Sequence, residues 1–423
     1  MGKTRKAGGA GGRVRRTHSA LTGFGQAHVG QTGIGGYRAW TLRVLTSVAL
    51  RASLTAVHDA STSDPAIDRD RATAPRAEDV RHARLPLAIA FPTVKFLVQA
   101  RLPPSIALVR VPHMDPLAWL LGAAAVSMYG YRRPTEVFRL ALYARLRAGG
   151  LRRHRRTLPD ATVHYWRGGR GAPLVFVHGF GTEAAINWYA QLLPFRGAYD
   201  VLAPDLPGFG RSERCLDTNC IALQVRCLRT LLDDLGVDRV SLVGHSMGGW
   251  ISLAFAAAHP ERVERLVVVD AAGLRFEPDL HLERALLPDT IDDVRMLIRA
   301  NFLGAPRLPA FVLRDVLRVA KRDAVGRTEL LRRLVYGSEH VDERLDAIRA
   351  PTLVVWGAED PLTPLALGER VAASVGGARL VVFPDCAHSP NVERPERFND
   401  LLRGFLSEAH VVAGAAEVAA AVG

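Results

Sequence analysis

A chain of 423 residues with 48% hydrophobic and 23% charged side chains has the composition of a soluble protein with a sizeable core, which excludes a wholly disordered polymer. Its formal charge of +13 divides unevenly: residues 1–160 hold 26 basic against 9 acidic side chains, or +17, and the remainder 29 against 33, or −4. A basic appendage that meets an anionic membrane surface is compatible with that split, and no nucleic acid partner is expected.

The first 58 residues carry no acidic side chain and are rich in Gly and Arg. Arg43 and Arg51 interrupt the only apolar run, Leu42 to Val57, so the core of ~7 to 15 apolar residues of a secretory signal is missing. Residues 1–84 are expected to be a basic, disordered tail or upstream sequence read through from a misassigned start, with Met114 and Met128 available downstream. Low acid content with Arg and Ser would also suit an organelle transit peptide.

Residues 85–159 read as an extension that is first apolar and then basic. Its longest clean apolar stretch, Leu117 to Tyr129, has 13 residues, short of the ~20 of a spanning helix. Neither a secretory signal nor a transmembrane helix is recognised, and the expected location is the cytoplasm, with peripheral membrane contact through the basic region. Arg132 to Arg156 reads as one arginine-rich helix, with Val137, Leu140, Ala141, Ala144 and Leu146 at helical spacing. Such a helix lies on an anionic membrane or packs across the following domain, and packing is preferred. A chain beginning near Arg132 or Arg152 should keep its activity if the region is an appendage.

From Thr162 short β-branched runs alternate with longer helical stretches, the pattern of a mostly parallel sheet with helices on both faces. The strands are read at Thr162 to Trp166, Leu174 to Val177, Val201 to Pro204, Val240 to Val243, Leu266 to Val269, Leu353 to Trp356 and Leu380 to Phe383. Residues 160–273 and 349–408 would form the core, 274–348 a helical cap inserted between the fifth and sixth of these strands, and 409–423 an Ala/Val-rich tail. The four cysteines, at 215, 220, 227 and 386, have neither disulfide-framework nor zinc spacing, so they read as free thiols and no metal is expected.

Four motifs follow four of these strands. Gly244-His245-Ser246-Met247-Gly248 lies between an apolar strand and an apolar helical run, and a nucleophile at so sharp a turn needs small residues two positions to either side. Ser246 is therefore the candidate nucleophile. His178-Gly179-Phe180-Gly181 follows the second strand; the backbone N–H groups of Phe180 and Met247 are the candidate oxyanion donors, with His178 a structural histidine beside Gly179 and Gly181. Asp360, in Gly357-Ala358-Glu359-Asp360-Pro361, is preferred as the carboxylate that orients the base; Glu359 and Asp270, at the end of the fifth strand, are its rivals, Asp270 otherwise reading as a capping or turn carboxylate. His388, after the last strand in Asp385-Cys386-Ala387-His388, is the candidate general base.

These motifs, with Asp205-Leu206-Pro207-Gly208-Phe209-Gly210-Arg211-Ser212 and Glu393-Arg394-Pro395, make residues 160–408 resemble the α/β-hydrolase superfamily, and within it the lipase and esterase branch that includes monoacylglycerol lipases. The resemblance implies a serine hydrolase with the triad Ser246, Asp360 and His388, no cofactor, and an acyl ester as substrate. Apolar cap residues, among them Leu286, Leu287, Leu297, Phe302, Phe311 and Leu313, would line an acyl pocket. Two alternatives stand beside it: a C–C bond hydrolase or acyltransferase on the same triad, and a non-catalytic binding protein on a hydrolase scaffold. His245 stands where C–C hydrolases often carry Asn, and Ser246 where dehalogenases and epoxide hydrolases carry Asp.

Overall fold

The computed structural model describes residues 116–408 apart from 215–218, 278–280, 306 and 323. The expectations for residues 1–115 and 409–423 lie outside the described residues. Two helices come first, α1 (Pro116–Arg132) and α2 (Pro134–Ala148). An eight-stranded sheet follows: β1 (Arg152–Thr157), β2 (Thr162–Gly168), β3 (Ala172–Val177), β4 (Tyr199–Pro204), β5 (Val240–His245), β6 (Val263–Val269), β7 (Thr352–Gly357) and β8 (Arg379–Phe383). Its order is β1-β2-β4-β3-β5-β6-β7-β8. β1, β2 and β4 pair antiparallel and all later neighbours pair parallel.

The protein thus has the α/β-hydrolase fold. All seven strands expected from the sequence are present, each one to three residues longer than its apolar run. Every residue of β5 and β7 is buried, because helices cover both faces of the parallel part and leave no face for alternation. On one face lie α3 (Ile221–Asp234), α4 (Met247–Ala258) and α9 (Leu365–Ser374), contributing Leu228, Ile251 and Val371 to one apolar core. On the other, α2 and α10 (Pro395–Ser407) contribute Leu146, Phe398 and Leu402 to a second. Between β6 and β7 the described residues form α5 (His281–Leu286), α6 (Ile291–Asn301), α7 (Ala310–Lys321), α8 (Ala324–Tyr336) and a 3-10 turn, with no strand.

The arginine-rich stretch differs from its expected form. It is not one helix to Arg156: α2 stops at Gly149 and Gly150, the latter at φ +87°, and Arg152–Thr157 becomes the antiparallel edge strand β1. The sequence RRHRRT has no apolar alternation, so only its pairing partner β2 reveals it as a strand, and its charges blunt an exposed sheet edge. Nor is α2 an appendage, since Leu142, Tyr143 and Leu146 are buried in the second core. Leu146→Ala, at a fully buried position, is expected to cost ~2–5 kcal/mol, measurable as a lowered urea midpoint. A chain starting at Arg152 therefore lacks part of the core, whereas one starting at Arg132 keeps it.

Candidate active site

The parallel strands β3, β5, β6, β7 and β8 lie side by side, so the residues just past their C-terminal ends gather at one edge of the sheet. Ser246 follows β5 and begins the turn into α4, with φ 55° and ψ −119°, a backbone conformation that a non-glycine residue adopts only under constraint. The constraint is visible. The Ser246 N–H donates to the Val269 carbonyl (2.9 Å), and its carbonyl accepts from Trp250 (3.1 Å) and Ala272 (3.1 Å). A Cβ at Gly244 would collide with the Gly248 carbonyl, and one at Gly248 with the Val177 carbonyl, which is why this turn needs both glycines.

Past β7 and β8, Asp360 and His388 come together: Asp360 Oδ2 lies 2.7 Å from His388 Nδ1, both side chains buried. Asp360 Oδ1 accepts the N–H groups of Leu362 (2.8 Å) and Thr363 (3.1 Å), and its Oδ2 accepts the Thr363 hydroxyl (2.6 Å). The carboxylate is therefore fixed in aim, and the ring it bonds is left with Nε2 as its free nitrogen. Ser246 Oγ makes no hydrogen bond among the described residues, so the Asp360–His388 pair is closed and its link to the serine is not.

Asp270, the rival acid, also reaches this edge. It stands at φ 44°, and its Oδ1 accepts the Gly357 N–H (2.8 Å) while its buried Oδ2 has no partner. Burial, and next the charge of Asp360, raise its pKa well above the ordinary carboxylate range. A ring nitrogen each of His245 and His388 and a carboxyl oxygen of Asp270 lie within 4.8 Å of one another, a spacing a metal could bridge. The donor set fits one poorly: His388 Nδ1 is taken by Asp360, His245 Nε2 faces the His388 carbonyl at 2.7 Å, and burial and the Asp360 charge disfavour the ionised Asp270 carboxylate that a metal needs.

The turn after β3 abuts the serine, since a Cβ at Gly179 would lie 3.2 Å from Ser246 Cβ. Gly179 donates its N–H to Asn187 Oδ1 (2.7 Å), and Gly181 adopts φ 76°. The Phe180 N–H has no acceptor among the described residues, and Met247 is the first residue of α4, where an N–H has no intrahelical acceptor. Two unsatisfied donors thus flank Ser246. His178 is structural: its Nε2 accepts from the Leu206 N–H (2.9 Å), which makes Nδ1 the protonated nitrogen facing the Gly179 carbonyl (2.7 Å). Burial lowers its pKa to about 4.

Behind that turn lies a buried acidic pair. Glu183 accepts from Tyr143 of α2 (2.8 Å), and Asp205 accepts the N–H groups of Ala184 (3.0 Å) and Arg211 (3.1 Å). Burial, and then the Asp205 charge, push Glu183 up to about 7, from an ordinary 4.5. Its contribution to stability is fully present below the unfolded value and is lost as pH rises through about 7. Glu183→Gln keeps an acceptor for Tyr143 without ionising, so it should raise Tm more at pH 8 than at pH 5; an equal effect at both would contradict the assignment.

Several residues of the site carry no strong signal in the sequence. Thr363 is foreshadowed by Asp360-Pro361-Leu362-Thr363, where a carboxylate precedes the N–H groups two and three positions on. Asn187 is not foreshadowed, and the motifs that contain His245 and Glu393 give no sign of the contacts these two make. Glu393 accepts the N–H groups of Ala387 (2.6 Å) and Leu303 (2.7 Å), and the His388 N–H reaches the Ala300 carbonyl (3.3 Å), so the loop bearing His388 is tied to the end of α6. Of the residues expected to line an acyl pocket, Leu286 and Leu287 border a cavity of about 340 Å³ among α5, α7 and α8 that Ser246 does not line, and Phe311 stacks on Tyr131 (4.7 Å).

A serine at a strained strand-to-helix turn, a buried carboxylate–imidazole pair and two free N–H groups thus gather at one sheet edge. A family model for the alpha/beta hydrolase family matches residues 174–401, more than half of the chain, and the protein belongs to that family. It is 31% identical over 267 residues to 2-hydroxy-6-oxo-6-phenylhexa-2,4-dienoate hydrolase of Comamonas testosteroni, covering 59% of this chain and 93% of that one. Among solved structures, a membrane phospholipase A described as a bacterial virulence factor is similar at TM-score 0.62 and 29% identity, over 69% of this chain and 96% of that one. Est816, an N-acyl homoserine lactone degrading enzyme, is similar at TM-score 0.54 and 30% identity, over 60% and 100% of the two chains.

Proposed function

We propose that the protein hydrolyses carboxylic esters of acyl chains through an acyl-enzyme on Ser246. The observation that carries this reading is the 2.7 Å contact of Asp360 with His388 Nδ1, at the same sheet edge as a serine held at φ 55°. His388 Nε2 takes the hydroxyl proton as Oγ attacks the ester carbonyl, and the Phe180 and Met247 N–H groups hold the oxyanion. The proton then passes from Nε2 to the leaving alcohol. Water, deprotonated by the same nitrogen, attacks the acyl-enzyme and regenerates Ser246 with release of the acid. The likeness to a phospholipase A and to an N-acyl homoserine lactone degrading enzyme supports the ester reading.

A second reading, C–C bond hydrolysis of a dienoate, is favoured by the 31% identity with the dienoate hydrolase over nearly its whole length. His245, where C–C hydrolases often carry Asn, weighs against it. Turnover of a p-nitrophenyl ester series from acetate to palmitate, beside a 2-hydroxy-6-oxo-dienoate, separates the two. Faster turnover of medium or long acyl esters is expected; a dienoate cleaved at a kcat/KM above every ester would overturn the proposal, and a preference for acetate over all longer chains would overturn its acyl-chain part.

A further inference from the structure

We propose that α1 docks the protein onto anionic lipid, immersed in the near leaflet, with the catalytic domain held against the surface through the cap. From Pro116 to Tyr131 this helix contains no Asp, Glu, Lys, Arg or His. Ala124, Ala125, Val126, Ser127, Met128 and Tyr129 are exposed in succession, so this stretch of the helix meets water on every side, with Val126 65% and Met128 55% exposed. A helix that is apolar all round is one that ends up covered all round. A protein partner laid along one side would leave the opposite apolar side in water, whereas lipid surrounds it.

Charge selects the kind of lipid. The segment that leaves the helix, residues 132–157, has nine arginines and one acidic residue, and Arg132, Arg145 and Arg147 are exposed. Basic residues directly beside an apolar helix attract anionic headgroups. Trp119 near one end, and Tyr129 and Tyr131 near the other, place aromatic residues where a membrane-seated helix has them. Seventeen residues rise only ~25 Å against a hydrocarbon thickness of ~30 Å, and no described helix is long and apolar enough to cross a membrane; immersion in one leaflet fits that length.

The attachment leads to the site. Tyr131 stacks on Phe311 of α7, Thr135 donates its N–H (3.0 Å) and its hydroxyl to the buried Asp315 of α7, and Arg133 lies 3.7 Å from the same carboxylate. α7 packs on α6, whose end holds the His388 loop. A docked α1 therefore sets the cap, and the edge it borders, at the membrane surface.

Flotation of the full chain with phosphatidylglycerol/phosphatidylethanolamine vesicles, beside phosphatidylcholine vesicles, tests this without any substrate, so it stands or falls independently of the ester reading. Binding to the anionic vesicles is expected, at least tenfold weaker on phosphatidylcholine. A Val126→Asp/Met128→Asp/Tyr129→Asp variant should lose at least tenfold of that binding with Tm unchanged. Wild-type flotation of that variant, or no flotation of the parent chain, overturns the proposal. As a second measurement, Met128→Cys carrying an environment-sensitive dye, with Cys215 and Cys220 changed to Ser, should shift to the blue only when vesicles are added. A blue-shifted dye before that would mean that another part of the chain, or a second copy, covers the helix, and would overturn it too.

Discussion

Ser246→Ala is expected to lower kcat by roughly 10⁶-fold and to abolish labelling by a fluorophosphonate, while leaving the fold in place. The second half of that expectation rests on the hydrogen bonds that form the elbow. All are made by the backbone of Ser246, through its N–H to Val269 and its carbonyl to Trp250 and Ala272, and none needs the hydroxyl. Alanine inherits the same φ of 55°, so no new strain enters. His388→Ala should cost about as much, because nucleophile and base act as one unit and their losses do not add. Ester turnover within about tenfold of the parent in either variant would mean that the bond is broken elsewhere on the molecule.

The next largest effect separates two buried carboxyls at the same edge. Asp360→Asn should lower kcat by roughly 10⁴-fold, since an amide at 2.7 Å from Nδ1 can present N–H and favour the tautomer whose proton faces the serine. Asp270→Asn should change kcat by less than about tenfold, under ~1.4 kcal/mol. Burial and the charge of Asp360 push its carboxyl towards the neutral form, and an amide oxygen still accepts the Gly357 N–H. The opposite ranking of the two variants would transfer the orienting role to Asp270. Circular dichroism and Tm on both proteins separate loss of chemistry from loss of fold.

Much of this site was legible because each of its main pieces is local. Gly244 and Gly248 bracket Ser246 within five residues, and the clash each glycine avoids is one that a turn of that sharpness imposes wherever it occurs. His388 and Asp360 were legible by position, each a few residues past an apolar run, and parallel pairing puts the ends of such runs at one edge. The choice of Asp360 over Asp270 rested on chain position, whereas in three dimensions both carboxyls arrive at the edge and only the hydrogen bond to Nδ1 tells them apart. The contacts of Asn187, His245 and Glu393 were hidden, because their partners lie 8, 143 and 90 residues away and neither spacing nor periodicity records such a contact. The strand Arg152–Thr157 was hidden for a related reason: an edge strand owes its form to its neighbour, and five of its six residues are basic or His.

From the sequence alone followed the fold class, the seven apolar strands and the candidates Ser246, His388 and Asp360, since apolar runs and glycine spacing are consequences of local backbone geometry. Tertiary structure decided that α2 belongs to the core, that one carboxyl oxygen of Asp270 is left without a partner beside an Asp360 bonded to His388, and that residues 124–129 of α1 remain exposed beside the cap. Those outcomes depend on which surfaces are buried together, and burial is a property of the assembled chain rather than of any stretch of it.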